Sequence, residues 1–293
     1  MFKRTIGDWI FESINILILC ILVIVMIYPL LFALFASFSD PAQLMLQKGI
    51  LLLPLKPYSN YAYWAVFNND RIMIGYRNTF IYLTIGLSIN LVFTSMAAYS
   101  LSLKHLMLRN GIMFAFTFTM LFSGGIIPTY IQVYNLGMVD TLWAMVLPGA
   151  INTMNLIIMR TGFAAIPDSL SEAAKIDGAN DIDIFAKIVL PLSKPVIAVM
   201  CLYYGVYHWN SWFPASMYLR SSSNYPLQIV LRDILIQNST DVLMSGTAGD
   251  DRFSISETIK YATIIVSTLP ILLVYPFLQK YFTKGIMIGA IKG

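Results

Sequence analysis

Charge is scarce in this 293-residue chain: Asp, Glu, Lys and Arg together make up 12% of it. An ordinary soluble domain carries about a quarter of its residues as charges, so the soluble globular class does not fit. Cysteine is nearly missing. Cys20 and Cys201 are the only two, both inside apolar runs, which leaves no disulfide framework and no metal-ligand spacing. They read as small core filler. Histidine is equally rare, and no nucleophile–base constellation can be assembled from two of them, so the chain is not itself an enzyme. No Gly-x-x-x-x-Gly-Lys-Ser/Thr phosphate loop occurs either. Low-complexity linkers, internal repeats and composition shifts are lacking too, which makes one domain over residues 1–293 the simplest organisation.

What fills the chain instead is apolar sequence, 58% of the residues, with a clearly positive mean hydropathy. Six stretches hold no Asp, Glu, Lys or Arg: Ile14–Phe38, Thr79–Leu103, Gly111–Val139, Thr141–Met159, Pro195–Leu219 and Tyr261–Gln279. A bilayer core needs about 20 apolar residues per helix. An all-α membrane protein with six transmembrane helices is therefore expected, over about 14–38, 79–103, 111–134, 141–160, 195–219 and 261–279. A β-barrel does not fit, because the runs are continuously apolar rather than alternating. The third and fourth stretches meet at Asp140, which predicts a tight hairpin with a short polar turn. Lys3 and Arg4 precede the first stretch as in a signal peptide, but the run is too long and Tyr28-Pro29 stands where cleavage needs a small residue.

Cytoplasmic loops accumulate Lys and Arg. Six spans put Lys104, Arg109, Arg160, Lys175, Lys187 and Lys194 on one side together with both basic termini, and the crowding of Lys104, His105 and Arg109 is sharpest there. Both termini and the segment 167–191 are thus expected in the cytoplasm. Two longer loops, about Ser39–Arg77 and Arg220–Lys260, fall outside. The first holds Pro41, Pro54 and Pro57 among Tyr58, Tyr61, Tyr63 and Trp64, which predicts short helices against the outer surface. Helix breakers interrupt two spans, at Ser123-Gly-Gly-Ile-Ile-Pro128 and Leu147-Pro-Gly149. Lipid does not replace the lost backbone bonds, so such kinks belong where backbone is buried in protein or lines a watery path.

Segment 167–191 is the longest polar stretch on the basic side. Ser169-Leu-Ser-Glu172 reads as a capping box, followed by a helix through Ala173, Ala174 and Ile176 that ends at Gly178 in a left-handed cap. Asn180 caps a second short helix with Asp183 at its third position and Ile182, Phe185 and Val189 on its apolar face. Pro191 and Pro195 mark its junction with the fifth span. Two short helices around a glycine elbow make a compact knob suited to a soluble partner.

Glu172-Ala-Ala-Lys-Ile-Asp-Gly178, then nine residues, then Ile188-Val-Leu-Pro191, matches the EAA loop of ABC-importer permeases without a gap. With Phe122–Tyr130, Trp143–Asn155, His208-Trp-Asn-Ser-Trp-Phe213, Tyr225–Asp233 and the terminal Gly289-Ala-Ile-Lys-Gly293, nearly the whole chain resembles the second permease subunit of a carbohydrate ABC importer. The likeness is to the maltose type, and nearer to the subfamily for complex oligosaccharide and polysaccharide uptake, often called the lipoprotein-C type. It implies a type I ABC importer transmembrane domain in the bacterial cytoplasmic membrane, with a cytoplasmic coupling helix. It also implies a heterodimer with a homologous permease, two ABC ATPases that bind the ATP and Mg, an extracytoplasmic solute-binding protein, and no nucleic acid. Glu172, Ala173, Ala174, Asp177, Gly178, Ile188, Leu190 and Pro191 are then the ATPase-coupling residues, and Lys292 and Gly293 a second contact, or else a basic tail.

Substrate contacts are weaker expectations. His208, Trp209, Asn210 and Trp212 suit a sugar, yet aromatics also belong at the interface, which is the preferred reading. Asn152 and Asn155 read as interhelical hydrogen-bond glue before substrate path. Asp241, Asp250, Asp251 and Glu257 suit either docking of a binding protein or a solvated loop, and lack calcium-loop spacing. An importer of a peptide, phosphate or amino acid is the alternative cargo. A secondary transporter fits less well, since the spans carry essentially no charge, and a purely structural membrane protein less well again.

Overall fold

The computed structural model describes residues 6–244, 257–274 and 276, and among them the only regular structure is helical. Helix α1 (Ile6–Phe38) contains the first expected span and extends it toward the N-terminus. Most of its large apolar side chains from Ile6 to Leu31 are exposed, as lipid-facing residues are. Asp40 accepts from the N–H of Gln43 at 3.0 Å and caps α2 (Pro41–Leu46), and α3 (Tyr61–Phe67) follows, so the expected short helices are present. Packing divides the molecule into two compact units, Met1–Asp70 with Leu231–Pro270, and Arg71–Val230 with Ile271–Gly293. In the first, Tyr28 Oη accepts from Leu51 N at 3.1 Å, Ser37 Oγ and Tyr63 Oη lie 2.7 Å apart, and Phe32 meets Tyr261 edge-on at 5.5 Å.

The second unit holds the elements that matter for function. Helix α4 (Asp70–Ser102) starts well before the expected Thr79, so the loop expected over about 39–77 is shorter than its charges suggested. Where the third span is expected the chain breaks sharply rather than kinking gently: α5 (Arg109–Leu121) and α6 (Ile126–Asn135) meet at 114°. The stretch expected to be the fourth span is interrupted as well. Between α7 (Leu142–Val146) and α8 (Thr153–Ala164) the stretch 147–152 leaves the helix where Pro148 cannot donate a backbone bond.

The polar loop follows as α9 (Asp168–Ile176), α10 (Asp181–Ile184), a π-helical turn Phe185–Val189 and α11 (Leu190–Leu192). It turns by 81° into α12 (Lys194–Trp209), beyond which lies α13 (Trp212–Tyr218). Helix α14 (Leu227–Met244) carries the chain onward, and α15 (Glu257–Val274) covers most of the sixth expected span. Three described helices are long and apolar enough to cross a membrane, or five if each bent pair counts as one span.

The core of this unit forms where α4, α8 and α12 meet the loop. Tyr99, Leu101, Leu156, Met159, Phe163, Met200 and Tyr204 are buried there, with Ile184 and Val189 of the loop among them. Gly86 of α4 is required by this approach: a Cβ there would lie 2.4 Å from the His208 ring.

Candidate functional site

The loop is built as a rigid knob. Pro167 occupies the N-cap of α9, where its fixed φ suits the entry but offers no side-chain acceptor. The expected capping box at Ser169 is therefore not formed, because the helix begins two residues earlier than such a cap allows, at Asp168. Asp168 instead reaches Lys104 Nζ at 2.5 Å. The far end closes as foreseen. Gly178 sits at φ +85°, its N–H donates to the Lys175 carbonyl at 3.1 Å, and that of Ala179 to the Ala174 carbonyl at 2.9 Å. That paired closure is a Schellman cap, which needs a left-handed residue and so favours glycine. Asp177 stands at the C-cap, its N–H bound to the Ala173 carbonyl.

Asn180 Oδ1 accepts from Asp183 N at 2.9 Å and starts α10 as expected. Lys175 pairs with Asp181 at 3.3 Å and Lys187 with Asp183 at 2.6 Å. The Lys187 ammonium holds the Asp183 carboxyl below its ordinary range by hydrogen bond and charge. One expectation is corrected: Ile182 does not face the core and is 78% exposed, while Ile184 takes the buried place. The π-helical turn adds a residue to the repeat, which changes which positions share a face.

The knob therefore has two sides. Inward, Ala174, Ala179, Phe185, Ile188 and Leu190 pack on the core, and the Phe185 ring lies 5.0 Å from that of Tyr99. Outward, Glu172, Ala173, Asp177, Gly178 and Pro191 are exposed together with Ile176, which is 87% exposed. A second anchor lies beside it: Arg109 Nε and Arg160 Nε both donate to the Leu101 carbonyl, at 3.0 and 2.8 Å. Two cations thus close the C-terminal, negative end of α4.

Behind the knob, a polar cluster grips the unwound stretch 147–152. Asn90 Nδ2 donates to the carbonyls of Gly149 and Ala150 at 2.7 and 2.9 Å, and Asn90 Oδ1 lies 2.7 Å from His208 Nε2. Tyr204 Oη accepts from Asn152 N at 3.1 Å and lies 2.8 Å from Thr94 Oγ1. His208 and Trp209 are buried, the indole against Tyr76 and Phe80, and Trp209 Nε1 has no hydrogen-bond partner among the described residues. Asn210 and Trp212 remain exposed. Asn152 Oδ1 caps α8 by accepting from Asn155 N at 3.1 Å, a local bond in place of interhelical glue. Sequence reasoning missed Asn90, Thr94 and Tyr204; the four-residue spacing of Gly86, Asn90 and Thr94 on one face of an apolar helix was the signal.

At the other end of α12, Asp140 closes the hairpin at φ +62°. Its Oδ1 accepts from Arg220 N at 2.9 Å, Ser221 N at 3.0 Å and Asn224 Nδ2 at 3.2 Å, and its Oδ2 from the Ser221 hydroxyl. These donors, the Ser221 hydroxyl first, hold its carboxyl well below the usual carboxylate range. Lys292, Gly293, Asp250 and Asp251 lie outside the described residues, and of the side chain of Asp241 nothing is described.

Long apolar helices, sharp breaks within apolar stretches and a polar loop packed on the helical core are features of the membrane subunits of transporters. The chain belongs to the family described as binding-protein-dependent transport system inner membrane component, whose pattern matches residues 1–288. It is 42% identical over 270 residues to the polygalacturonan/rhamnogalacturonan transport system permease protein YtcP of Bacillus subtilis strain 168, covering 92% of this chain and 94% of that one. Protein LplC of the same strain is also 42% identical, over 287 residues, 97% of this chain and 95% of the other. Among solved structures, a chain from a bacterial ABC transporter involved in the import of the acidic polysaccharide alginate superposes with a TM-score of 0.85 at 31% identity. That superposition covers 96% of this chain and 100% of the other, so the two share a fold.

Proposed function

We propose that the chain is the permease subunit of an ATP-driven importer that takes up an oligosaccharide or polysaccharide delivered by an extracytoplasmic solute-binding protein. The family membership and the polysaccharide systems named for its relatives support this reading. The observation that carries it is the two-sided knob, with Ala174, Ile188 and Leu190 set against the core and Glu172, Ala173, Asp177, Gly178 and Pro191 left open. An ATPase seated on the open side moves the core of the unit along with the loop. Lys292 and Gly293 make a second contact with the ATPases in this scheme.

The assembly holds this subunit, one homologous permease and two ATPases, which bind and hydrolyse the nucleotide. Six spans then place both termini and the knob in the cytoplasm, with α5–α6, α7–α8 and α12–α13 as broken spans. ATP shifts the population between inward- and outward-facing states through its different affinity for the two. Of the substrate-path candidates, Asn152, Asn210 and Trp212 are the accessible ones, while Asn155, His208 and Trp209 are buried and act as packing.

The test is a mild-detergent pull-down of the tagged chain beside Gly178→Arg, with native mass of what is recovered. A Cβ at Gly178 meets nothing within 4 Å, so the substitution disturbs the left-handed cap and the open surface without a clash inside. The wild type should bring down a second permease and two ATPases, and Gly178→Arg should lose the ATPases. A wild type that runs without any ATPase rules the importer reading out.

A further inference from the structure

The knob occupies one end of the second unit. The other end carries an arrangement that coupling does not use. The rings of Tyr130 and Tyr218 lie 6.3 Å apart and almost parallel, at 6°, and Tyr134 extends the stack at 6.4 Å from Tyr130. Tyr218 is buried, whereas Tyr134 is 59% exposed and gives the stack an open aromatic face. Beside it, Arg220 Nη2 donates to Tyr130 Oη at 3.3 Å.

Arg220 is exposed, yet its backbone is fixed from both sides. Its N–H is held by Asp140 Oδ1 at 2.9 Å, and its carbonyl accepts from Tyr225 Oη at 3.4 Å. The Asp140 carboxylate is occupied by Ser221, Asn224 and the Arg220 backbone. The guanidinium keeps Tyr130 Oη as its hydrogen-bond partner among the described residues and has donors to spare. Arg77 borders the same loop, because Asn78, which accepts from Arg77 Nη2 at 3.3 Å, donates to the carbonyls of Ser223 and Tyr225. A positioned arginine with open donors matches a carboxylate in planar, two-bond geometry.

We propose that Arg220 and the Tyr130–Tyr134 stack form a recognition site for an acidic, uronate-bearing oligosaccharide, the guanidinium taking a sugar carboxylate and the open Tyr134 ring a sugar face. This rests on the importer reading and adds the charge of the cargo. Relatives named for polygalacturonan/rhamnogalacturonan and for alginate, called an acidic polysaccharide, fit that chemistry.

The experiment uses the whole complex in proteoliposomes with its binding protein, and compares uptake of tetragalacturonate with that of neutral galactotetraose. Wild type, Arg220→Gln, Arg220→Lys and Tyr134→Ala are each accepted only when the intact complex is recovered. Losing a charge-assisted pair lowers the ratio of acidic to neutral uptake by about tenfold or more in Arg220→Gln, and Arg220→Lys falls between. Tyr134→Ala lowers acidic uptake by a smaller factor and serves if Arg220→Gln fails to assemble. An unchanged ratio in the variants overturns the proposal, as does equal loss of both sugars, which marks a docking contact for the binding protein. A wild type that imports the neutral sugar and not the acidic one also overturns it while leaving the importer reading standing. A wild type that imports neither ends both.

Discussion

At the scale of single residues, Asp140 does the most with the least. A residue at φ +62° is uncommon outside glycine, and Asp and Asn tolerate it best. Asp140→Asn keeps that tolerance and one acceptor oxygen, so it should cost about 1–2 kcal/mol, read as a lower melting temperature in detergent. Asp140→Ala should cost more, because it adds backbone strain to unpaired donors. The sign of the pH effect follows from the depressed carboxyl. A group held below its unfolded value contributes fully above that value, about 4, and loses its contribution as pH falls through the folded one. The gap between wild type and Asp140→Asn should stay constant from pH 8 to pH 5 and close only in stronger acid. The sequence marked Asp140 as a turn, since it is the charge between two apolar runs. Its partners Arg220, Ser221 and Asn224 lie some 80 positions onward, and no local pattern could join them to it.

At the scale of elements, the breaks decide the architecture. Asn90 satisfies two carbonyls of the unwound stretch and meets the buried His208 ring, so Asn90→Leu takes the partner from two half-buried carbonyls and one buried ring nitrogen. The expected outcome is a loss of at least about 2 kcal/mol in denaturant unfolding, with the purified variant opening first around residues 147–152. The breaks were legible as Pro and Gly inside apolar runs, but their size was not. Pro148 removes a donor wherever it stands, whereas the groups that re-satisfy the neighbouring carbonyls come from α4, and that choice fixes how far the chain unwinds. The glycine elbow was legible in full, because a Schellman cap is a local device. The capping box was misread for a local reason too: Pro167 takes the N-cap two residues before Ser169.

At the scale of the whole molecule, stability should be uneven. Helices α8 and α12 and the second half of α4 share the core, whereas α9 has no buried residue. Hydrogen exchange of the assembled permease should therefore be slowest within residues 86–102, 153–164 and 194–209 and distinctly faster in α9. Equal rates would contradict the picture of a stiff core with an applied knob. Class was legible from composition and the loop from its motif, while the division into two compact units was not, since packing partners far apart in sequence leave no trace in hydropathy. The 81° turn after Leu192 has one more consequence. It makes the segment a bell crank. The short arm, Asp181–Leu192, is about 18 Å long and the long arm, Lys194–Trp209, about 24 Å, at 1.5 Å per residue. If the angle holds, a push on the short arm becomes a swing nearly at right angles to it, and each ångström at the loop returns about 1.3 Å at the far end of α12.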